Sequence, residues 1–412
     1  MWNNSQRIGL QMKFLPWLLI VFQLPASAST GDGRVDSAAI RLSTNCPPGF
    51  EQVSGRCQLR NLYQLYDSLQ GAGVGGLKTG LPPVREGFTP QQIDLGRYMF
   101  FDPILSADGS LSCASCHHPE LGFSDGVGRS IGIAGKKVGR SSPSLWNVGF
   151  LHHLFWDARA ASLEEQAKGP LYAENEMGNS EEKLVRDLNA HVVYRRLFNE
   201  AFGSEGILPV QVYTALAAFE SSLISLNSRY DRYAHGYHQA LTRDEIAGLN
   251  IFRSFVARCA ECHTPPLFTN QQMAIIGTPE PEGLPFDAGE GELTGDPTQR
   301  GGFKVPGLRN IEKTAPYMHS GRFGSLRDAV EFYTKGRGHA VSDNEILSIH
   351  WHIWEPNLSD LELDLLVIFL KTLTDESLAP MIPKRVPSGL NPIGRIPEAI
   401  SRRSDLEGAG SR

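Results

Sequence analysis

Hydrophobic and polar positions along this chain fall into amphipathic runs joined by long loops, a pattern that predicts a mainly α protein. Three of the runs carry their own start signals. In "TPQQIDLGRYMFF", Thr89 is placed as N-cap, Pro90 at the first helical position and Gln92 as the closing partner of a capping box. "TRDEIAGLNIFRSF" repeats the device with Thr242 and Glu245, and "SDLELDLLVIFLKTLTD" with Ser359 and Glu362. "EEKLVRDLNAHVVYRRLFNEAF" and "QVYTALAAFESSLISL" supply helices between the first two. After about residue 380 the chain turns to Pro, Arg and Gly, which predicts a loosely ordered tail.

The start of the chain follows a different pattern. Arg7 and Lys13 precede the apolar run "FLPWLLIVFQLP", and "ASA" at Ala26–Ala28 offers a small-residue cleavage site. The run is short for a membrane span of about 20 residues, so residues 1–28 read as a secretory signal peptide and the protein as periplasmic. No later stretch is long and apolar enough to cross a bilayer. Composition is that of a soluble globular protein, 41% hydrophobic and 20% charged. The net charge of −6, or −8 without residues 1–28, argues against nucleic acid as a partner. Residues 29–83 read as an extension and linker. Cys46 and Cys57 there can close a small disulfide loop in an oxidising compartment. "GAGVGGLKTG" matches a dinucleotide-binding string but has a helix-like run before it and "LPPVREG" after it, so it reads as linker.

The chemistry lies in a repeat. "LSCASCHHPELGFSD" holds Cys113, Cys116 and His117, and "ARCAECHTPP" holds Cys259, Cys262 and His263. Each copy follows one of the capped helices. A thioredoxin-like pair wants a βαβ setting, which this pattern lacks. A structural zinc site wants four ligands and does not explain a His directly after each second Cys. C-x-x-C-H is the attachment motif of c-type haem: both thiols add to the haem vinyl groups and the His takes the iron. Two covalently bound c-type haems are expected, with His117 and His263 as proximal ligands. By residue type alone Met318, in "PYMHSG", is the natural sixth ligand, since His/Met ligation is common in cytochromes c.

Around these motifs the strings "GRYMFFDPILSADGSLSCASCH", "SPSLWNVGF", "FWDARAASLEEQAKGPL", "NEMG", "CAECHTPPLFTN" and "FKVPGLRNIEKTAPYMHSGRFGSLRDAVEFY" resemble the bacterial diheme cytochrome c peroxidase superfamily, in its MauG- and MbnH-like branch. The resemblance runs from about residue 84 to residue 376. It implies two tandem cytochrome c domains, at 84–238 and 239–380, with a tail at 381–412. It implies a peroxide-reacting N-terminal haem whose pocket carries Gln166, Pro170 and Glu176, with Glu176 moving the peroxide proton, and Trp156 passing charge between the haems. The family usually has Gly where Ala158 stands. It places Tyr333, rather than Met318, on the second iron, and a calcium ion between the haems near Ser141, Thr314 and Pro316, where serine replaces the family's Asn. In the peroxidase branch a His in the loop after the first motif closes the resting iron. Here that loop, "GFSDGVGRSIGIAGKKVGRSSPS", has none, and the neighbouring His118 is not expected to reach the opposite face.

Three functions follow as expectations. The first is a peroxide-driven oxidase of a partner protein, working through a high-valent diheme state. The second is a hydrogen-peroxide-reducing peroxidase fed by a small cytochrome or cupredoxin. The third is a diheme electron carrier that is not an enzyme. The acidic stretch "DAGEGELTGDPTQRGG" is expected to be a solvated loop.

Overall fold

A computed structural model of the chain describes residues 40–60, 81–335, 345–351, 353 and 355–392. The signal-peptide reading, the glycine-rich string, most of the run before it and the end of the tail lie outside these residues. The described chain is mainly helical. A short hairpin, β1 (Phe50–Val53) and β2 (Arg56–Leu59), comes first. Helices α1 (Pro90–Phe100), α2 (Cys113–Cys116), α3 (Leu163–Tyr172), α4 (Glu181–Ala190), α5 (Val192–Phe202) and α6 (Pro209–Ser221) follow. Then come α7 (Arg229–Ala234), α8 (Arg243–Phe252) and α9 (Cys259–Cys262). The order ends with β3 (Met273–Ile275), α10 (Glu290–Thr294), β4 (Gly302–Lys304, antiparallel to β3), α11 (Leu326–Lys335) and α12 (Asp360–Lys371). No helix among the described residues is long and apolar enough to cross a membrane.

The capped starts form as the residues dictate. Thr89 with Gln92, Thr242 with Glu245 and Ser359 with Glu362 each make both bonds of a capping box. "EEKLVRDLNAHVVYRRLFNEAF" is two helices, because His191 adopts an extended backbone between α4 and α5.

The same helix pair occurs twice. α1 crosses α6 where Gly96 lies: a Cβ there would stand 1.8 Å from the Ala215 carbonyl oxygen and 2.9 Å from Phe219 Cβ. α8 crosses α12 at Gly248, where a Cβ would stand 2.0 Å from the Leu365 oxygen and 2.8 Å from Phe369 Cβ. Only glycine lets the backbones approach this closely. Buried apolar side chains gather accordingly. One cluster runs from Leu95 to Leu223 around the first Cys motif, with Leu42 added from the N-terminal extension and Val386 from the tail. A second runs from Tyr230 to Leu373 around the second.

A third cluster joins Phe50, Cys57 and Leu59 of the hairpin to Ile93, Phe150, Ile224 and Leu267. The hairpin is closed by a Cys46–Cys57 disulfide of sequence separation 11, a loop for which chain entropy gives about 3 kcal/mol. Two expectations change. Residues 381–392 are docked, not loose: Ser388 donates to both carboxylate oxygens of buried Asp102, and Arg97 donates to the Met381 carbonyl. Such partners are remote in sequence, so composition could not reveal them. The acidic stretch is exposed at 292–295, as expected, but it forms α10 and is tied down at its start, with Arg140 Nε and Nη2 donating to Asp287 at 2.6 and 2.9 Å.

Candidate haem sites

Each C-x-x-C-H copy is a single helical turn ending in its histidine. In both, the ring is oriented by a backbone carbonyl. His117 Nδ1 lies 2.9 Å from the Phe123 oxygen, and His263 Nδ1 lies 3.1 Å from the oxygens of Phe268 and Pro306. A carbonyl can only accept, so Nδ1 carries the proton and Nε2 keeps the lone pair a metal needs. Ser142 Oγ lies beside the first ring, 3.1 Å from Nδ1 and 3.3 Å from Nε2. The carbonyls are aimed by left-handed backbone at Phe123 (φ 58°) and Phe268 (φ 58°). Positive φ at a bulky residue is unfavourable, and packing holds it: both rings are fully buried, Phe123 edge-on to Trp146 and Phe268 edge-on to Tyr230. Burial lowers the basicity of both imidazoles, which keeps them neutral and ligating.

The four motif cysteines are free of disulfides. Burial raises the Cys113 thiol strongly and pushes Cys116 up to about 12, so both stay protonated. They open onto a cavity of about 220 Å³ with a largely apolar wall. The indole N–H of Trp146, on that wall, is buried with no hydrogen-bond partner among the described residues. Unpaired buried donors are rare. Free thiols, a lone-pair imidazole nitrogen, an apolar wall and an unsatisfied donor fit a haem with its polar propionate edge.

One helix face builds the far wall. Leu163, Gln166, Ala167, Pro170 and Leu171 of α3 recur at helical spacing and all line the cavity. The chain then turns back on itself: Met177 N–H donates to the Pro170 oxygen and Asn179 N–H to the Leu171 oxygen, at 3.0 and 2.9 Å. This turn brings Glu176 into the wall beside Gln166 and Pro170. Burial raises the Glu176 carboxyl above the ordinary carboxylate range, and the positive charge of Arg159 draws it part of the way back. Arg159 is held by both oxygens of Asp157, at 2.8 and 2.9 Å.

The histidine-free loop packs directly on this turn. Ile133 N–H donates to the backbone carbonyl of Glu176 at 2.7 Å, and a Cβ on Gly132 would stand 2.0 Å from the Asn175 carbonyl oxygen. The loop contributes Ser130, Gly132, Val138 and the run Arg140–Ser144 to the wall. His118 is buried next to His117, and its Nδ1 accepts from Glu120 N–H. It is therefore engaged in its own turn.

Trp156 also lines the cavity, with its indole N–H donating to the Ser141 oxygen at 2.8 Å. Its own carbonyl accepts from Lys304 N–H at 2.7 Å, and two residues on the Pro306 carbonyl accepts from His263. A short bonded path thus runs from Trp156 to the second motif. Ala158 has φ 60°, a conformation glycine adopts more easily.

At the second motif, the Tyr333 phenol of α11 is raised by burial and then by the charges of Cys259 and Cys262, so it lies within electrostatic reach of that pair. Met318, at φ 72°, sits instead on the loop that packs against the first motif's loop: the backbone carbonyl of its neighbour His319 accepts from Ser141 N–H at 2.7 Å, and Gly321 abuts Gly128. Thr314 and Pro316 lie on the approach to the same loop, Thr314 Oγ1 bonded to the Ile311 oxygen. Among the described residues no cluster of three or more His, Cys, Asp or Glu is arranged to hold a further metal ion.

Two buried ionisable residues of the first cavity carried no signal in the sequence. Glu220, within an otherwise apolar stretch of α6, is pushed up to about 8 by burial, aided by Glu164. Lys304 is brought down to about 8 by burial alone. Their placement depends on where α6 and β4 pack.

Comparison with known proteins places these features in a family. The family described as di-haem cytochrome c peroxidase matches residues 90–239. The chain is 37% identical over 305 residues to the methylamine utilization protein MauG of Methylorubrum extorquens, covering 73% of this chain and 83% of that protein. It is 34% identical to the cytochrome c551 peroxidase of Nitrosomonas europaea, over 77% of this chain and 90% of that one. Among solved structures it is similar to a MauG-like protein associated with microbial copper homeostasis, at TM-score 0.68 and 33% identity, over 75% of this chain and 99% of that chain. The diheme peroxidase BthA from Burkholderia thailandensis superposes at TM-score 0.61 with 28% identity, over 75% and 91%.

Proposed function

The chain belongs to the di-haem cytochrome c peroxidase family of haem oxidoreductases, and from that membership we propose an exported, periplasmic enzyme that reacts with hydrogen peroxide at the first haem site and oxidises a partner protein. In this reading residues 84–238 and 239–380 are two cytochrome c domains, each holding one haem covalently, through Cys113, Cys116 and His117 and through Cys259, Cys262 and His263. A haem held there by Cys113, Cys116 and His117 would supply the redox-active iron that hydrogen peroxide oxidises. Glu176 takes the proton from the near oxygen and returns it to the far one, the work a half-buried carboxyl of raised pKa is suited to. Gln166 and Pro170 shape the pocket, and Trp156 passes charge towards the second site. Tyr333 would hold the second iron, giving up its phenol proton to do so, and a phenolate favours the oxidised metal. A calcium ion near Ser141, Thr314 and Pro316 belongs to the same proposal.

The observation that carries the reading is the loop at 122–144. It contains no histidine, and its backbone is bonded to the Glu176 turn. An iron held by His117 would then have no histidine of this loop to displace before peroxide reacts. One equivalent of hydrogen peroxide added to the diferric protein, with no prior reduction, should shift the Soret and near-infrared bands at once. A response that appears only after one-electron reduction would sink this reading in favour of a peroxidase fed by a small cytochrome or cupredoxin. The 34% identity to a cytochrome c551 peroxidase keeps that second reading in view. Rapid turnover with a reduced small cytochrome is the outcome that would establish it.

A further inference from the structure

Outside the cavity, three side chains tie α3, α4 and α6 into one hydrogen-bonded chain. Tyr213 O–H donates to Glu181 Oε2 at 2.6 Å, and the hydroxyls of Tyr172 and Tyr213 lie 2.6 Å apart. A phenol has one proton, and Tyr213 commits its own to the carboxylate, so Tyr172 is the donor to Tyr213. Tyr213 is buried, Tyr172 is half-buried and Glu181, in the first turn of α4, is exposed. Burial and the bond to Glu181 hold the Tyr213 phenol far above its usual range, and burial raises Tyr172 as well. Both are neutral phenols at any ordinary pH.

The pair stands next to the first haem cavity. Leu171, the neighbour of Tyr172, lines it, and so does Leu216, which is one turn of α6, about 5 Å, from Tyr213. A phenol at neutral pH gives up an electron readily only if its proton leaves with it. The carboxylate of Glu181 is a proton acceptor already in place and open to water. The Lys168 ammonium lies 5.2 Å from the centre of the Tyr213 ring, which disfavours a ring cation and favours concerted loss of the proton.

We propose that Tyr172, Tyr213 and Glu181 form a redox-active outlet, by which an oxidising equivalent from hydrogen peroxide leaves the first haem site for the protein surface, separately from Trp156. One electron passes from Tyr213 to the first haem site and fills one of the two oxidising equivalents that hydrogen peroxide delivers there; the other is left for the Trp156 route. The Tyr213 O–H bond breaks and its proton bonds to Glu181 Oε2, leaving a neutral tyrosyl radical. Tyr172 then gives its hydrogen, proton and electron together, to the Tyr213 oxygen, which moves the radical to the half-exposed ring. The inference rests on the peroxide reading above.

The test is freeze-quench EPR of the diheme holoenzyme after one equivalent of hydrogen peroxide, with the Soret band followed in parallel. The wild type should show the Soret change and then a tyrosyl signal. Tyr213→Phe should lose that signal while the Soret change forms at the same rate and reverts more slowly. Glu181→Gln keeps both phenols and removes the proton acceptor, so its radical yield should also fall; a chain that merely ties helices together would leave the yield alone. An undiminished tyrosyl signal in the Tyr172→Phe/Tyr213→Phe double variant, or no tyrosyl signal in a wild type whose Soret band does change, overturns the outlet. No Soret change in the wild type overturns the peroxide reading and the outlet together, which distinguishes the two failures.

Discussion

Glu176→Gln removes a titratable proton from the cavity wall and keeps the shape of the side chain. The turn that carries it should survive, because it is held by backbone bonds from Ile133, Met177, Gly178 and Asn179 and not by the carboxyl. General acid–base help of this kind contributes about 10²–10⁴-fold, equivalent to about 2.7–5.5 kcal/mol of barrier. The structure points to the upper half of that range. The carboxyl is half-buried, its charged form is poorly solvated, and Arg159 offsets only part of that cost, so the carboxylate is a stronger base than one in water. We expect the second-order rate with peroxide to fall by about 10³–10⁴.

The pH profile carries an independent sign. The charged form of Glu176 accepts the proton, so the wild-type rate should rise with pH through an inflection above the ordinary value of 4.5. Arg159→Gln removes a charge that lowers this pKa, so its inflection should move higher still. Stopped-flow absorbance at the Soret maximum, under excess peroxide across the acid-to-neutral range, reads both effects. A Glu176→Gln rate within about threefold of the wild type, or an inflection that Arg159→Gln does not move, would refute the assignment.

Tyr333→Met should change the low-spin EPR signal and near-infrared band of the second haem while Met318→Leu leaves them unaltered; the reverse pattern would give the ligand to Met318. Arg309, which donates through both terminal nitrogens to buried Asp231, should cost about 3–5 kcal/mol when replaced by Met, because the partner carboxylate stays buried without its counter-charge, keeping the bonds from Ser228; a loss under about 1 kcal/mol in denaturant titration would contradict this. Glu220, at about 8 in the folded protein against an ordinary 4.5, holds a proton between those values that the unfolded chain has released. Stability should therefore fall as pH rises through that window, and Glu220→Gln should flatten the decline in thermal midpoint; equal slopes in the two proteins would count against it.

The sequence alone determined the local devices. Capping boxes at Thr89, Thr242 and Ser359 are made by residues three apart, so neighbouring side chains suffice to specify them. The paired C-x-x-C-H turns are equally local, because two thiols and an imidazole within five residues fix their own geometry. Tertiary structure decided what depends on distant partners. Carbonyls of Phe123 and Phe268, turned by left-handed backbone, set which nitrogen of each histidine is left for a metal. Glycines at 96 and 248 could be read as weak points of a helix; only the crossing of α1 with α6 and of α8 with α12 shows them as points of backbone contact. The tail looked loose because its composition says nothing of Asp102, nearly three hundred residues earlier, whose buried oxygens it satisfies. Glu220 and Lys304 became ionisable groups of the cavity, and Tyr172 and Tyr213 a bonded pair, only when packing took them out of water and set them side by side. Burial and long-range pairing follow from where whole elements pack, and no short window of residues records that.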